Sequence, residues 1–245
     1  MSATGNLVSP ADETGRLALI AACRELPRLG LVVGTAGNVG LRRDARHFFV
    51  SPSGVAYESL EPEDVPLVDL DGRWYGRCRP SSEWRMHRDL FRAKPWVGAI
   101  VHTHSREATA LACSAQGIPP FHYMVAAAGG EDVRCAPYHI FGSQALSDAA
   151  LAALEGRRAC LLANHGMLSL GANLPAALDL AVQIEDLAAK YRIARSAGDL
   201  QLLDHTAMAR VLEKFRTYGS SHAIDDDLTH REDWPPRAAE EDAAT

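Results

Sequence analysis

Residues 97–105, "VGAIVHTHS", constrain the fold of this chain more than any other stretch. The run is short, apolar and rich in β-branched residues, so it reads as a buried strand rather than a helix. In an extended backbone alternate side chains share a face, which turns His102 and His104 one way and Thr103 the other. A histidine pair of this kind is, taken alone, more often a hydrogen-bonded pair than a set of ligands. A third histidine changes that balance: His165, in "ANHGM", closes a second apolar strand just before a glycine. Three neutral imidazoles with an open position form the pattern of a catalytic zinc site. The remaining histidines (His47, His87, His122, His139, His205, His222 and His230) read as surface or packing residues.

The segments around these strands alternate between helix and strand. Residues 11–29 have near-helical apolar spacing, with acidic Asp12 and Glu13 early and Gly30 after the end. Short strands are expected in "GTAGNVGLR", "RHFFVSPSG" and "VPLVDLDG". Helices are expected over residues 81–93, over 105–116 with Ser105 as cap, over 143–156, over 174–196 and over 204–218. "ACLLANHGMLSLG" reads as two strand halves around a turn. This mixture predicts an α/β protein with one sheet covered by helices on both faces.

A second constellation consists of small polar turns. Ser81 and Ser82 precede a helix, where they can cap it, and a helix N-terminus also attracts anions. "GTAGN" at residues 34–38 offers glycines, a hydroxyl and an amide for a backbone nest, and "SPSG" is a weaker version of the same idea. Together with a metal site, these turns point to a small phosphorylated substrate held beside a divalent ion. Glu83, in the same "PSSEW" stretch, is the natural acid/base partner, although a lone glutamate there is ordinarily only helix-terminal charge.

Bulk properties exclude several classes. At 245 residues with 47% hydrophobic content, the chain suits one large domain, here residues 1–219, followed by an acidic tail, 220–245, expected to be disordered. A formal charge of −6 argues against nucleic acid as main partner, and no apolar stretch approaches a membrane span. The five cysteines are unpaired in spacing and the N-terminus lacks an apolar leader, so reduced thiols and a cytoplasmic location are expected.

In this order, "RLGLVVGTAGNVGLR", "SPSGVAYESL", "PSSEWRMH", "VGAIVHTHS", "IPPFHYMVAAAGG", "CAPYHIFGSQALS", "LLANHGML" and "LEKFRTYG" resemble the class II aldolase/adducin family, and within it the fuculose-phosphate aldolase branch. The resemblance implies a three-layer α/β/α sandwich with a mainly antiparallel central sheet, assembled as a homotetramer with active sites at subunit interfaces. It implies that His102, His104 and His165 bind Zn²⁺, with Mn²⁺ or Co²⁺ as possible substitutes, and that Glu83 is the acid/base residue that also approaches the metal. Thr35, Gly37, Asn38, Ser53, Gly54, Ser81 and Ser82 match positions that hold a substrate phosphate. Tyr123 matches a proton donor supplied by a neighbouring subunit, and Tyr218 a C-terminal tyrosine that closes over the site. Gly40 stands where the family commonly has a small polar residue. The implied reaction is reversible cleavage of a ketose 1-phosphate, L-fuculose 1-phosphate or a deoxy or modified pentulose 1-phosphate, into dihydroxyacetone phosphate and an aldehyde. The alternatives are pentulose 5-phosphate 4-epimerisation, dehydration or decarboxylation on the same scaffold, and a non-enzymatic adducin-like scaffold.

Overall fold

The computed structural model describes residues 10–216; Tyr218 and the expected acidic tail lie outside the described residues. One eight-stranded sheet runs in the order β4-β3-β2-β1-β5-β8-β7-β6. Its strands are β1 (Asn38–Arg42), β2 (His47–Val50), β3 (Leu67–Asp69), β4 (Trp74–Tyr75), β5 (Ala99–Thr103), β6 (Arg134–Ala136), β7 (Ala159–Leu162) and β8 (Gly166–Gly171). All neighbours are antiparallel except β6 and β7, which run parallel, so the sheet is mixed at one edge. The short β4 and β6 have no clear alternation in sequence, and pairing to longer neighbours is what makes them strands.

The helices are α1 (Pro10–Arg28), α2 (Trp84–Ala93), α3 (Arg106–Ala112), α4 (Gln144–Ala153), α5 (Leu174–Ser196) and α6 (His205–Phe215). The sheet separates two apolar clusters, and the pleat assigns successive residues to each. Phe48 and Val50 pack on the α2 and α4 side with Ile100, Leu168 and Leu170. Phe49, Val101 and Met167 pack on the opposite side against α1, α3 and α5, through residues such as Leu19, Ala108 and Ile184. That alternation is the three-layer sandwich stated in physical terms.

Two helix starts differ from expectation. α2 begins at Trp84, and Glu83 is its N-cap residue with no side-chain cap bond, so Glu83 stands one position outside the first turn. Ser105 occupies the N-cap position of α3 but makes no cap hydrogen bond. The Glu185 carboxylate of α5 accepts from the amides of Glu107 and Ala108 instead, at 2.8 and 2.9 Å. A tertiary carboxylate therefore does what the local serine was expected to do, and an anion suits that helix end well.

Candidate metal centre and cleft

Three elements bring the histidines together. His102 is on the central strand β5, paired with Asn38 of β1 and Leu168 of β8, and is completely buried. His104 follows the end of β5, and His165 sits in the turn joining β7 to β8, the neighbouring hairpin. The three rings stand edge to face with centroids 4.8–4.9 Å apart. Glu83 enters from the start of α2, and ligand atoms of all four residues lie within 4.8 Å of one another.

The donor set fits a metal ion. The His102 Nδ1–H donates to the Met167 carbonyl at 2.9 Å, which turns its Nε2 inward. That Nε2 lies 3.0 Å from His104 Nε2 and 3.0 Å from Glu83 Oε2. Glu83 Oε1 is buried, accepts no hydrogen bond and has His165 Nε2 at 3.4 Å. Burial, followed by the neighbouring His102, pushes the pKa of His104 and of His165 down to about 4, so both rings carry a free lone pair at neutral pH. Burial alone would raise the Glu83 carboxyl, but the pull of His102 outweighs it and holds Glu83 below the usual carboxylate range. Convergent imidazoles with an anionic carboxylate in a nearly dry wall are the chemistry of a divalent-cation site.

The cleft above this centre has a volume of about 320 Å³. Thr35, Gly37 and Asn38 reach it from the loop into β1 and its first residue, Ser53 and Gly54 from the loop after β2, and Ser81 and Ser82 from the turn before α2. Backbone bonds tie the last two loops together: Ser81 N–H donates to the Ser51 carbonyl at 3.0 Å and Ser53 N–H to the Arg79 carbonyl at 3.1 Å. Gly37 has φ +91°, and a Cβ there would meet the His102 carbonyl at 2.6 Å, so only glycine lets the loop lie against the metal strand. Asn38 lines the cleft, but both ends of its amide are engaged. It donates to Glu83 Oε2 at 3.0 Å, and its oxygen accepts from the fully buried His87 at 2.5 Å. One N–H of the Asn38 amide thus faces the carboxylate.

The sequence pattern singles out none of Tyr138, Phe141 or Asn164, and its spacing does not separate a place near the site from a surface or packing role for His139; all four line the cleft. Tyr138 and Phe141 are 57% and 61% exposed at its mouth. Their stretch, "CAPYHIFG", carries no periodicity, so its only signal was its place among the matching segments. Asn164 has φ +55°, and its signal was an asparagine beside His165 in a tight turn. Tyr123 does not line this cleft. It opens the 3-10 turn Tyr123–Ala128 and is 46% exposed.

The mixed sheet between helical layers thus carries a three-histidine, one-carboxylate centre suited to a divalent ion under a polar cleft. Residues 17–191 match the family described as Class II Aldolase and Adducin N-terminal domain, and the chain belongs to that family. It is 48% identical over 206 residues to a 5-methylthioribulose-1-phosphate/5-deoxyribulose-1-phosphate aldolase of Rhodospirillum rubrum, covering 84% of this chain and 93% of the relative. It is 41% identical to an L-fuculose phosphate aldolase of Escherichia coli K12, over 82% of this chain and 94% of that enzyme. A solved L-fuculose 1-phosphate aldolase superposes with a TM-score of 0.80 at 36% identity, covering 83% of this chain and 96% of that one.

Proposed function

We propose that this chain is an aldolase that cleaves a ketose 1-phosphate to dihydroxyacetone phosphate and an aldehyde, with zinc held by His102, His104, His165 and Glu83. The carrying observation is that Glu83 meets three imidazoles at the floor of the same cleft whose walls are the hydroxyl and glycine turns. Bound at that floor, a divalent ion supplies Lewis acidity that polarises a substrate carbonyl. Ser53, Ser81, Ser82 and Thr35, with the amides around Gly37 and Gly54, hold the phosphate. Asn38 belongs to this wall and also steadies Glu83. As the C3–C4 bond breaks, the C4 hydroxyl loses its proton and C3 gains one. Glu83 delivers the proton to C3 and removes it in the reverse direction. Tyr123 of a neighbouring subunit exchanges the proton with the aldehyde oxygen. Each such acid or base contributes roughly 10²–10⁴ in rate.

The substrate is a 5-deoxy or 5-methylthio pentulose 1-phosphate, whose aldehyde half, carbons 4 and 5, ends in an apolar group. The aromatic mouth formed by Tyr138 and Phe141 supports this, as does the naming of the 48%-identical relative. The reading carries with it a homotetramer with one ion per subunit, a catalytic domain spanning residues 1–219 and a cytoplasmic location. No described helix is long and apolar enough to cross a membrane.

The test is a panel of ketose 1-phosphates, assayed by release of dihydroxyacetone phosphate from zinc-loaded protein. The expected result is a higher kcat/KM for 5-methylthioribulose 1-phosphate or 5-deoxyribulose 1-phosphate than for L-fuculose 1-phosphate. A preference for the fuculose ester overturns the apolar aldehyde end, and no release from any ester overturns the aldolase reading.

A further inference from the structure

His87 has no part in ligand chemistry, yet its placement is hard to account for as packing. It lies on α2 one turn beyond Glu83, completely buried beside the apolar cluster that includes Met86, Leu90 and Phe91. Its Nδ1 has no hydrogen-bond partner, and a Cβ at residue 40 would overlap that nitrogen, so Gly40 makes the room for the ring. An apolar side chain of similar size would fill the same space without leaving a buried nitrogen unsatisfied, which costs stability. What the histidine adds is at its other nitrogen. The Nε2–H donates to Asn38 Oδ1 at 2.5 Å, and Asn38 Nδ2–H donates in turn to Glu83 Oε2 at 3.0 Å.

We propose that His87 is a positioning residue that, through Asn38, holds the Glu83 carboxylate in its working orientation. An asparagine amide has one accepting and one donating end. Because His87 donates to the oxygen, the NH₂ group is turned towards Glu83. Turned over, the amide would set its oxygen against a carboxylate oxygen, two acceptors face to face. Pinned at both ends, the amide keeps one Glu83 oxygen engaged at a fixed point while the other, Oε1, stays free of hydrogen bonds beside His165. A carboxylate that must both approach an ion and move a proton needs its direction set by a second layer of bonds. The fold supplies that layer from inside the α2 face of the sheet. Gly40, the one departure from the family pattern noted in this strand, is the residue against which the ring lies.

This inference rests on the reading of Glu83 as the proton-transfer residue, and the test separates the two. Zinc-loaded parent, His87→Leu and His87→Gln are compared for kcat and KM on the best ketose 1-phosphate, metal content, thermal midpoint and crystal structure. Expected for His87→Leu is a fall in kcat of about 10- to 100-fold with KM within about threefold, the pattern of a group that acts in the transition state. Metal content stays close to that of the parent. In its crystal structure the Asn38 amide and the Glu83 carboxylate are displaced. The His87→Gln amide N–H can reach the same oxygen and recovers part of the lost kcat, which a purely space-filling role does not predict. Should His87→Leu not fold, His87→Met takes its place. An active parent with equal kcat in His87→Leu, or an unmoved Glu83, overturns the positioning role and leaves the aldolase reading standing. An inactive parent whose Glu83 shifts in His87→Leu upholds the positioning role and sinks the aldolase reading.

Discussion

At the residue scale, Glu83 and the histidines have separable duties. Glu83→Gln keeps size and an acceptor oxygen while removing the charge and the base. The expected outcome is a folded protein that binds zinc but loses roughly 10²–10⁴ in kcat. It should also stop exchanging the dihydroxyacetone phosphate C–H with solvent deuterium, a half-reaction that needs no aldehyde. Undiminished exchange by NMR would show that another group is the base. His104→Ala removes one converging lone pair instead, so its main effect is on the ion. At equal protein concentration it should retain less zinc by elemental analysis and lose most of the thermal stabilisation that zinc gives the parent. Binding at 100 times Kd adds about 2.7 kcal/mol to the folded state, which makes the shift easy to read.

At the element scale, the start of α2 is what aims Glu83, and α2 is anchored to α4 by a small polar network. Asp89 accepts from Ser147 Oγ at 2.8 Å and from Gln144 Nε2 at 2.7 Å, while its other oxygen takes Arg88 Nε at 2.7 Å. Burial alone would raise the Asp89 carboxyl, but these donors outweigh it and hold it below the ordinary range. The fold therefore favours the ionised form. That contribution is complete above the unfolded value of about 3.9 and is lost as pH falls through the lower folded value. Asp89→Ala takes the acceptor from all three donors, Ser147, Gln144 and Arg88, and should cost about 2 kcal/mol at pH 7. Urea unfolding of metal-free protein checks this. The gap between variant and parent should narrow at pH 3, and a gap that stays constant would mean the loss is one of packing. The α3 cap teaches a related lesson, since the helix that follows the metal strand is closed by Glu185, 80 residues after Ser105.

For the whole molecule, the proposal of a site shared between subunits is tested at Tyr123. Tyr123 is exposed and outside the cleft of its own chain, as expected if it serves a neighbour. Each of His102→Ala and Tyr123→Phe should then be poorly active alone. In a ring with head-to-tail interfaces, random mixing places an intact His102 face against an intact Tyr123 face at about one interface in four. Co-refolding the two variants should restore activity approaching a quarter of the parent rate. No recovery in confirmed mixed oligomers would put both residues in one subunit and end the shared-site proposal.

Local pattern decided a good deal by itself. The apolar run before His102-Thr103-His104 could only be a buried strand, and the pleat then put both imidazoles on one side. "ANHG" read as a turn between strands, and α5 was legible because apolar residues recur at helical spacing along its buried side, from Leu174 through Ile184 to Tyr191. The glycine and serine turns were legible as anion-friendly backbone, since their chemistry is local. What periodicity does not encode is proximity between distant segments. That His165 meets His102 depends on β8 pairing with β5, and the edge strands β4 and β6 exist only because neighbours hold them. His87 is the clearest case. On sequence it is one more histidine on a helix, and only the packing of α2 against β1 brings its Nε2 to Asn38 and makes that amide part of the active carboxylate's support. A hydrogen bond across 49 residues is a product of tertiary structure, because its free energy depends on distance and direction that no local pattern carries.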